Sequence, residues 1–198
     1  RSLLVTGVQT CALPISDMAS HIASLIMEAM NAECCQNFAG PKHTLVDFHR
    51  MMTRLVEMED SQYSYRNVLA AYTSGGILAG ICVAYDGGKL HQLRRRFYEA
   101  ALEAFGIDYT GMTDETEDGE FYIDSLAVSS NFRGKGIASQ LLQATIERGA
   151  ELGIPTVGLL VDKGNPKAEA LYQRLGFVYV NDSTWGGHPM RHLQYKHD

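Results

Sequence analysis

The sequence has few cysteines and no long apolar run, and each lack excludes a class of protein. Four cysteines occur among 198 residues, none at the spacing of zinc ligands, and the neighbours Cys34 and Cys35 are poorly placed to bridge each other. No apolar run reaches the ~18 residues that a membrane-spanning helix needs. The sequence therefore predicts a reduced, cytoplasmic protein with no membrane span and no bound metal.

The chain also has no excess of positively charged residues. The 17 Lys and Arg residues are outnumbered by 23 Asp and Glu residues, which gives a formal net charge of −6. A protein that binds nucleic acid through its phosphates usually carries the opposite sign, so no nucleic-acid partner is expected. With 45% hydrophobic residues, the chain is long enough to bury the core of one domain.

The first residues are set apart from the rest of the chain. They begin without Met, and Gly7, Gln9 and Thr10 interrupt an apolar run that would otherwise suggest a signal peptide. Residues 5–15 resemble the translation of a sequencing-library adapter. We therefore expect residues 1–16, with Cys11, to be a non-native segment and residues 17–198 to form a single domain. Whether a native first strand preceded that domain is left open.

Hydrophobic periodicity predicts helices and one hairpin in the first half of the chain. The hairpin is predicted from two strand-like runs around Gly75-Gly76. The expected elements are a helix over 17–30 capped by Asp17, a break over 37–42, a helix from Thr44 to about 56, strands over 67–73 and 77–85, and a helix over 89–105. The last helix is expected to carry Arg94, Arg95 and Arg96 on a solvated outer face, and an acidic loop over 107–120 follows it.

The second half alternates between strand and helix patterns. The expected elements are strands over 121–128, 156–161, 177–180 and 191–196, helices over 136–152 and 166–175, and a turn region over 182–190. Asn165 is expected to cap the second of these helices. The strand–helix–strand unit over 121–161 implies a parallel pair with a right-handed crossover, whereas the hairpin implies antiparallel neighbours. The prediction is one mixed α/β sheet flanked by helices.

A glycine-rich loop, Arg133-Gly134-Lys135-Gly136-Ile137-Ala138, lies between a predicted strand and a predicted helix. The first N–H groups of a helix have no partner within it, and the helix dipole makes that end positive. Glycines let the backbone approach a phosphate closely, and Arg133 and Lys135 add positive charge. The loop is therefore predicted to hold a diphosphate.

A dinucleotide site is the alternative interpretation of this loop. Gly134-x-Gly136-x-x-Ser139 approaches the dinucleotide-binding fingerprint, and Asp162 ends the next predicted strand, where an acidic residue could bind a ribose. Residues 129–133 separate the strand from the glycines, however, and no further strand–helix–strand units follow. A small dinucleotide-binding domain stays open as the less favoured alternative.

Two motifs together resemble the GNAT superfamily of N-acetyltransferases. Arg133-x-x-Gly136-x-Ala138 fits the family's R/Q-x-x-G-x-G/A signature, and Asn165-x-x-Ala168-x-x-Leu171-Tyr172-x-x-x-Gly176-Phe177 is similar to its second signature. The resemblance is specific over about 120–180 and loose over 17–90. It implies acetyl-CoA as co-substrate and a mostly antiparallel central sheet with a central parallel pair, flanked by helices.

The resemblance also implies where acetyl-CoA lies. The diphosphate would bind to the glycine loop, and the pantetheine arm to the preceding strand and to the helix after Asn165, with the two parallel strands splaying apart around it. The implied cofactor-binding residues are Leu126, Ala127, Val128, Arg133, Gly134, Lys135, Gly136, Ile137, Ala138, Asn165 and Ala168.

The implied reaction is direct attack of a primary amine on the thioester. Tyr172 matches the tyrosine that protonates the departing thiolate in many family members, and backbone amides of the central strand are expected to polarise the carbonyl. Asp124 is the candidate for removing the proton of the amine, with Glu120 as a second candidate. Strict strand alternation would place Asp124 on the same face as Leu126 and Val128.

The acceptor amine is not identified by the sequence. It is a small molecule or a peptide, and Asp114, Glu115, Glu117 and Asp118 are expected to attract its positive charge. Cys82 is expected to be buried and inert, while His188, His192 and Trp185 have no assigned role. A non-catalytic acyl-CoA-binding or sensory module of the same fold stays open, as does assembly into a homodimer.

Overall fold

The computed structural model describes residues 4–7 and 15–197, with side chains described from residue 18 onward. Cys11 lies outside the described residues. The α-helices within these ranges are α1 (Ile15–Met30), α2 (Ala32–Ala39), α3 (Leu45–Glu57), α4 (Leu90–Phe105), α5 (Ile137–Glu151) and α6 (Pro166–Arg174). The strands are β1 (Leu4–Gly7), β2 (Val68–Tyr72), β3 (Leu78–Asp86), β4 (Glu120–Val128), β5 (Thr156–Asp162), β6 (Val178–Trp185) and β7 (His188–Lys196).

The described strands form one sheet in the order β1-β2-β3-β4-β5-β7-β6. Every neighbouring pair is antiparallel except β4 and β5, which are parallel and joined through α5. The predicted mixed α/β sheet with a central parallel pair is thereby confirmed. β1, which pairs with β2, lies within residues 1–16, the segment that the sequence predicts to be non-native. That residues 1–16 are non-native stays a prediction.

The parallel pair separates halfway along its length. β4 and β5 are in register only from Glu120 opposite Thr156 to Ile123 opposite Leu159. Beyond that point both strands continue, β4 to Val128 and β5 to Asp162, but they no longer pair with each other. We call this separation the fork.

A β-bulge in β4 lies at the start of the fork. On β3, Val83 pairs with Ser125 and the next residue, Ala84, pairs with Ile123, so Asp124 has no partner there. An extra residue in one strand interrupts its alternation. Ala127 therefore packs on the side of α1 to α4, while Leu126 and Val128 pack on the side of α5. The expectation that Asp124 shares a face with Leu126 and Val128 is wrong for this reason.

Helices cover both faces of the sheet and bury one core on each. Residues of α1 to α4 make one core, which contains the methionines of α1 and α3. Residues of α5 pack with Phe177 and Leu193 in the other core. No helix among the described residues is long and apolar enough to cross a membrane.

The ends of several elements differ from the sequence prediction. Helix α1 begins at Ile15, so Asp17 lies inside it and is not its cap, whereas Thr44 caps α3 as expected. Asn31, with a positive φ of 70°, separates α1 from α2, and α2 extends into the predicted break. β6 continues to Trp185 through the predicted turn region, because polar residues suit an edge strand with exposed faces. The turn itself is Gly186-Gly187.

Arg94 corrects the prediction of a solvated face on α4. Its side chain is 1% exposed, and it donates hydrogen bonds to the Thr113 carbonyl oxygen (3.1 Å) and to the carboxylates of Asp114 and Glu115. The acidic loop that follows α4 in the sequence folds back and surrounds the guanidinium. Helical periodicity does not reveal this burial, because the counter-ions come from another segment.

Candidate active site

The fork opens into a cleft of about 750 Å³. One end of the cleft is at the glycine loop and the N-terminus of α5, and the other lies beneath the junction of α1 and α2 and the β6–β7 hairpin. Its walls include Glu28, Cys34, Tyr63, Glu115, Tyr122, Asp124, Ser125, Leu126, Ala127, Val128, Arg133, Gly134, Ala138, Asp162, Asn165, Ala168, Tyr172, Trp185 and His188.

The glycine loop presents an open helix N-terminus to one end of the cleft. Gly134 and Gly136 have positive φ values of 74° and 78°, and α5 begins at Ile137 without a side-chain cap. A Cβ on either glycine would meet nothing within 4 Å, so backbone conformation and not crowding requires glycine there. The uncapped N–H groups of this turn are suited to bind an anion.

The two cations of the loop point in different directions. Arg133 donates from Nε to the Val128 carbonyl oxygen (3.0 Å) and forms an ion pair with Glu28 of α1 across the cleft mouth (3.3 Å). Lys135 donates to the carbonyl oxygen of Asn131 (3.1 Å) and lies over the Phe132 ring. Of these two cations, only Arg133 lines the cleft.

The other predicted cofactor-binding residues divide into two groups. Leu126, Ala127, Val128, Gly134, Ala138, Asn165 and Ala168 all line the cleft. Gly136 and Ile137 do not, and Ile137 is buried in the core below α5, so these two positions face an anion only through the backbone. Asn165 accepts a hydrogen bond from the Ala168 N–H (3.2 Å), which confirms it as the cap of α6.

Tyr172 of α6 lines the cleft beside the fork. Its ring packs edge-on against Phe177, with centroids 6.0 Å apart. No described residue forms a hydrogen bond with its hydroxyl group, and burial raises the pKa of the phenol. The hydroxyl is therefore protonated at neutral pH and available as a proton donor.

Asp124 lies at the bulge where β4 and β5 separate. Its carboxylate accepts hydrogen bonds from Gln62 (3.3 Å), Tyr85 (3.3 Å) and Ser125 (2.9 Å), all of them uncharged donors. Burial and the nearby charge of Glu115 raise the pKa of Asp124 to about 7, against the lowering effect of these hydrogen bonds. A carboxylate with this pKa can accept a proton near neutral pH.

Glu115 lies behind Asp124 and has charged and polar partners of its own. It is 7% exposed, forms an ion pair with Arg94 and accepts a hydrogen bond from the indole Nε1 of Trp185 (3.2 Å). Of the four acidic residues expected to attract an amine, only Glu115 lines the cleft. Asp114 pairs with Arg94 and His91 at the surface.

Glu120, the second candidate base, is outside the cleft. Its carboxylate reaches across Gly158 and accepts hydrogen bonds from Thr116 (2.6 Å) and Gln194 (2.9 Å), and it pairs with His192 (2.6 Å). Burial favours a higher pKa, but these three bonds outweigh it and hold the pKa of Glu120 below its usual value. Glu120 is therefore a structural carboxylate.

Trp185 and His188 line the cleft, although the sequence assigned them no role. They flank the β6–β7 turn, and the Gly186-Gly187 pair between two extended runs was the signal that could have placed them together. Cys82 is buried as expected, and burial raises the pKa of its thiol to about 12. No group of three or more His, Cys, Asp or Glu among the described residues is placed to hold a metal ion.

The fold and the cleft together define a class of protein. The protein has a mixed sheet whose two parallel strands separate beside an uncapped, glycine-rich helix N-terminus. This separation leaves a channel that suits a long ligand with an anionic end. A family model described as the acetyltransferase (GNAT) family matches residues 43–177, which is more than half of the chain. The chain belongs to this family.

The chain is also similar to individual acetyltransferases. A solved structure described as an acetyltransferase is 26% identical, with a TM-score of 0.78 and coverage of 98% of both chains. Mycothiol acetyltransferase of Propionibacterium freudenreichii is 36% identical over 78 residues, which are 38% of this chain and 24% of that protein. A probable spermine N(1)-acetyltransferase of Bacillus subtilis subsp. natto is 27% identical over 94 residues, which are 46% of this chain and 62% of that protein. The matches therefore span about a quarter and three fifths of these two relatives.

Proposed function

We propose that the protein is an N-acetyltransferase that transfers the acetyl group of acetyl-CoA to a primary amine. The observation that carries the proposal is the cleft through the fork, which joins an open helix N-terminus to Asp124 and Tyr172. A diphosphate at the glycine loop and an extended pantetheine arm along Leu126 to Val128 would bring the thioester to the fork. The buried, reduced cysteines support a cytoplasmic location.

The residues at the fork supply the proton transfers of this reaction. The acceptor arrives as an ammonium ion, and Asp124 accepts a proton from it, which leaves a neutral amine. The amine nitrogen attacks the thioester carbon, and backbone N–H groups of β4 stabilise the oxyanion. The nitrogen then loses its second proton to solvent, the C–S bond breaks, and the Tyr172 hydroxyl donates its proton to the thiolate. The products are an amide and free CoA, and proton exchange with solvent restores both side chains.

The acceptor is a small molecule or a peptide that carries a primary amine. The two curated relatives named above act, by their names, on different acceptors, so similarity does not select one of them. Asp124 has only uncharged hydrogen-bond donors as partners. The ammonium group of an acceptor bound beside it would provide a positive counter-charge for the carboxylate. The acidic loop contributes to acceptor binding through Glu115 alone.

Calorimetric titration of the full chain with acetyl-CoA, and separately with NAD, tests the cofactor. Acetyl-CoA is expected to bind with micromolar affinity, and Gly136→Asp should weaken it at least tenfold because it places a negative charge and a strained φ at the anion site. Gly111→Asp is the matched control, because it adds the same charge in a loop outside the cleft. Binding of NAD without acetyl-CoA would overturn the proposal and direct attention to Asp162.

Tyr172→Phe tests catalysis separately from binding. The substitution should lower kcat by about 10- to 100-fold in a free-thiol assay with a panel of amines, while the Kd of acetyl-CoA stays within twofold. Wild-type binding of acetyl-CoA with no turnover of any amine in the panel would instead indicate the non-catalytic acyl-CoA-binding module.

A further inference from the structure

One hydroxyl group is shared between two carboxylates at the fork. The phenolic oxygen of Tyr85 lies 3.3 Å from Oδ2 of Asp124 and 3.3 Å from Oε1 of Glu115. Tyr85 is 2% exposed, and its ring packs edge-on against Tyr122, which fixes the position of the hydroxyl. A phenol has a single proton, so it can donate to only one of the two carboxylates at a time.

Glu115 is fixed on the far side of this hydroxyl. Arg94 and Trp185 both donate to its Oε2, which leaves Oε1 directed to Tyr85. Arg94 is 1% exposed and has its other contacts to Thr113 and Asp114. A carboxylate paired in this way remains an acceptor whether or not Asp124 carries a proton.

The Tyr85 hydroxyl can form hydrogen bonds both when Asp124 is ionised and when it is protonated. When Asp124 is ionised, the Tyr85 hydroxyl donates to it, and Glu115 keeps its bonds to Arg94 and Trp185. When Asp124 is protonated, its own hydroxyl can donate to the oxygen of Tyr85, and Tyr85 then donates to Glu115. Each state provides an acceptor for the proton of Tyr85 and for the proton of Asp124, which is the condition for both states to be accessible.

We propose that Tyr85 and Glu115 are positioning residues that determine whether Asp124 holds a proton, and that they act through this shared hydroxyl. The proposal rests on the proposed function for its consequence, since it would control when Asp124 can accept a proton from the amine. The two residues act in opposite directions: Tyr85 stabilises the ionised carboxylate by donating to it, and Glu115 destabilises it by like charge.

Other groups around Asp124 come from several elements and do not replace this pair. Gln62 and Ser125 donate to it, and neither is charged. The titratable neighbours are Cys34 of α2, Tyr63 in the loop before β2, Cys82 of β3 and Tyr122 of β4. Burial raises the pKa of each, so all four are neutral near pH 7. No described cation lies within ion-pair distance of Asp124, and Arg94 lies beyond Glu115.

Carbon-13 NMR titration of the full chain, with labelled Asp and Glu carboxyl carbons, measures this directly and needs no acceptor. The Asp124 signal is assigned by its loss in Asp124→Asn. Tyr85→Phe should raise the titration midpoint of Asp124, and Glu115→Gln should lower it, each by about half a pH unit or more. Tyr109→Phe is the matched control, because it removes a partly buried hydroxyl bonded to a backbone carbonyl oxygen and should leave the midpoint unchanged. Shifts in the same direction, or no shift in Tyr85→Phe, would overturn the proposal.

A second measurement remains if Glu115→Gln does not fold because Arg94 loses its partner. In the wild type, the Glu115 carboxyl signal should show a step at the midpoint of Asp124, since the Tyr85 proton moves toward Glu115 there. The step should shrink at least twofold in Tyr85→Phe, and its absence in the wild type would refute the proposal. These readouts do not depend on turnover, so their failure is distinguishable from a failure of acetyl-CoA binding.

Discussion

Glu120 and Asp124 are two carboxylates on the same face of β4, and their surroundings differ in kind. Glu120 pairs with His192 and also accepts from Thr116 and Gln194, and its pKa lies below the usual value. Asp124 has only uncharged donors and an acidic neighbour, and its pKa is raised to about 7. Burial acts on both in the same direction.

Partners, and not burial, therefore move the pKa values of these two carboxylates in opposite directions. The strand itself contributes to the difference. Glu120 lies where β4 and β5 are still paired, so its side chain is enclosed by β5 and β7. Asp124 lies at the bulge where that pairing ends, so its side chain faces a cleft that a substrate can enter.

Asp124→Asn should have the largest effect on the rate. Removal of the base is expected to lower kcat by about 10²- to 10⁴-fold in the free-thiol assay. In the wild type, kcat/KM should rise with pH and level off above about pH 7, because Asp124 must be ionised to accept a proton. Glu120→Gln should keep kcat within a few-fold in the folded fraction. A larger loss of kcat in Glu120→Gln than in Asp124→Asn would reverse the assignment of the two residues.

Glu120→Gln should have the largest effect on stability. The substitution replaces a buried carboxylate that is hydrogen-bonded to Thr116, His192 and Gln194, and it is expected to lower the free energy of unfolding by about 3 kcal/mol in urea denaturation. The control is Asp182→Asn, which breaks an exposed ion pair with Lys163 and should leave the midpoint unchanged. Equal midpoints for both variants would show that Glu120 is not a structural carboxylate.

Gly158→Ala tests the space that Glu120 requires. A Cβ at Gly158 would collide with the Glu120 carboxylate, which crosses β5 at this position. We expect a loss of about 2 kcal/mol in the free energy of unfolding, since the side chain must leave its partners or the strand must shift. Gly75→Ala, in the β2–β3 turn, adds a Cβ without a close contact and should be nearly neutral. Crystal structures or His192 titration would show whether the pair is broken.

The pH dependence of stability should have opposite signs for the two residues. The folded-state pKa of Asp124 is raised from its usual 3.8, so wild-type stability falls as pH rises from about 4 to 7. The stability of Asp124→Asn relative to wild type should therefore increase over that range. The pKa of Glu120 is lowered from its usual 4.5, so the deficit of Glu120→Gln should be full above that pH and shrink in more acidic solution. Thermal unfolding between pH 3 and 8 measures both, and parallel curves for the two variants would contradict the comparison.

Local patterns in the sequence were sufficient for most of the fold and for the glycine loop. Helical periodicity, the cap at Asn165 and the strand–helix–strand unit over 121–161 each depend on residues close together in the chain, and the structure confirms them. The family prediction depended on two such motifs and is also confirmed.

Features that depend on distant residues were not predictable in this way. The bulge at Asp124 becomes visible only from its pairing with β3, and the burial of Arg94 only from the fold of the acidic loop. The hydrogen bond from Trp185 to Glu115 joins the β6–β7 hairpin to the loop after α4, and these two segments are far apart in the sequence. The roles assigned to the individual site residues stay predictions that the experiments above address.

The fork gives the sheet a third edge, in addition to those of β1 and β6, and this edge lies inside the molecule. Main-chain groups of residues 124–128 and 160–162 face each other across the cleft without pairing, as the groups of an edge strand face solvent. An extended ligand that carries amides could fill this place like a missing strand. Because a ligand that binds only the folded state raises the melting temperature by mass action, thermal melting alone can identify ligands of the chain before any acceptor is known.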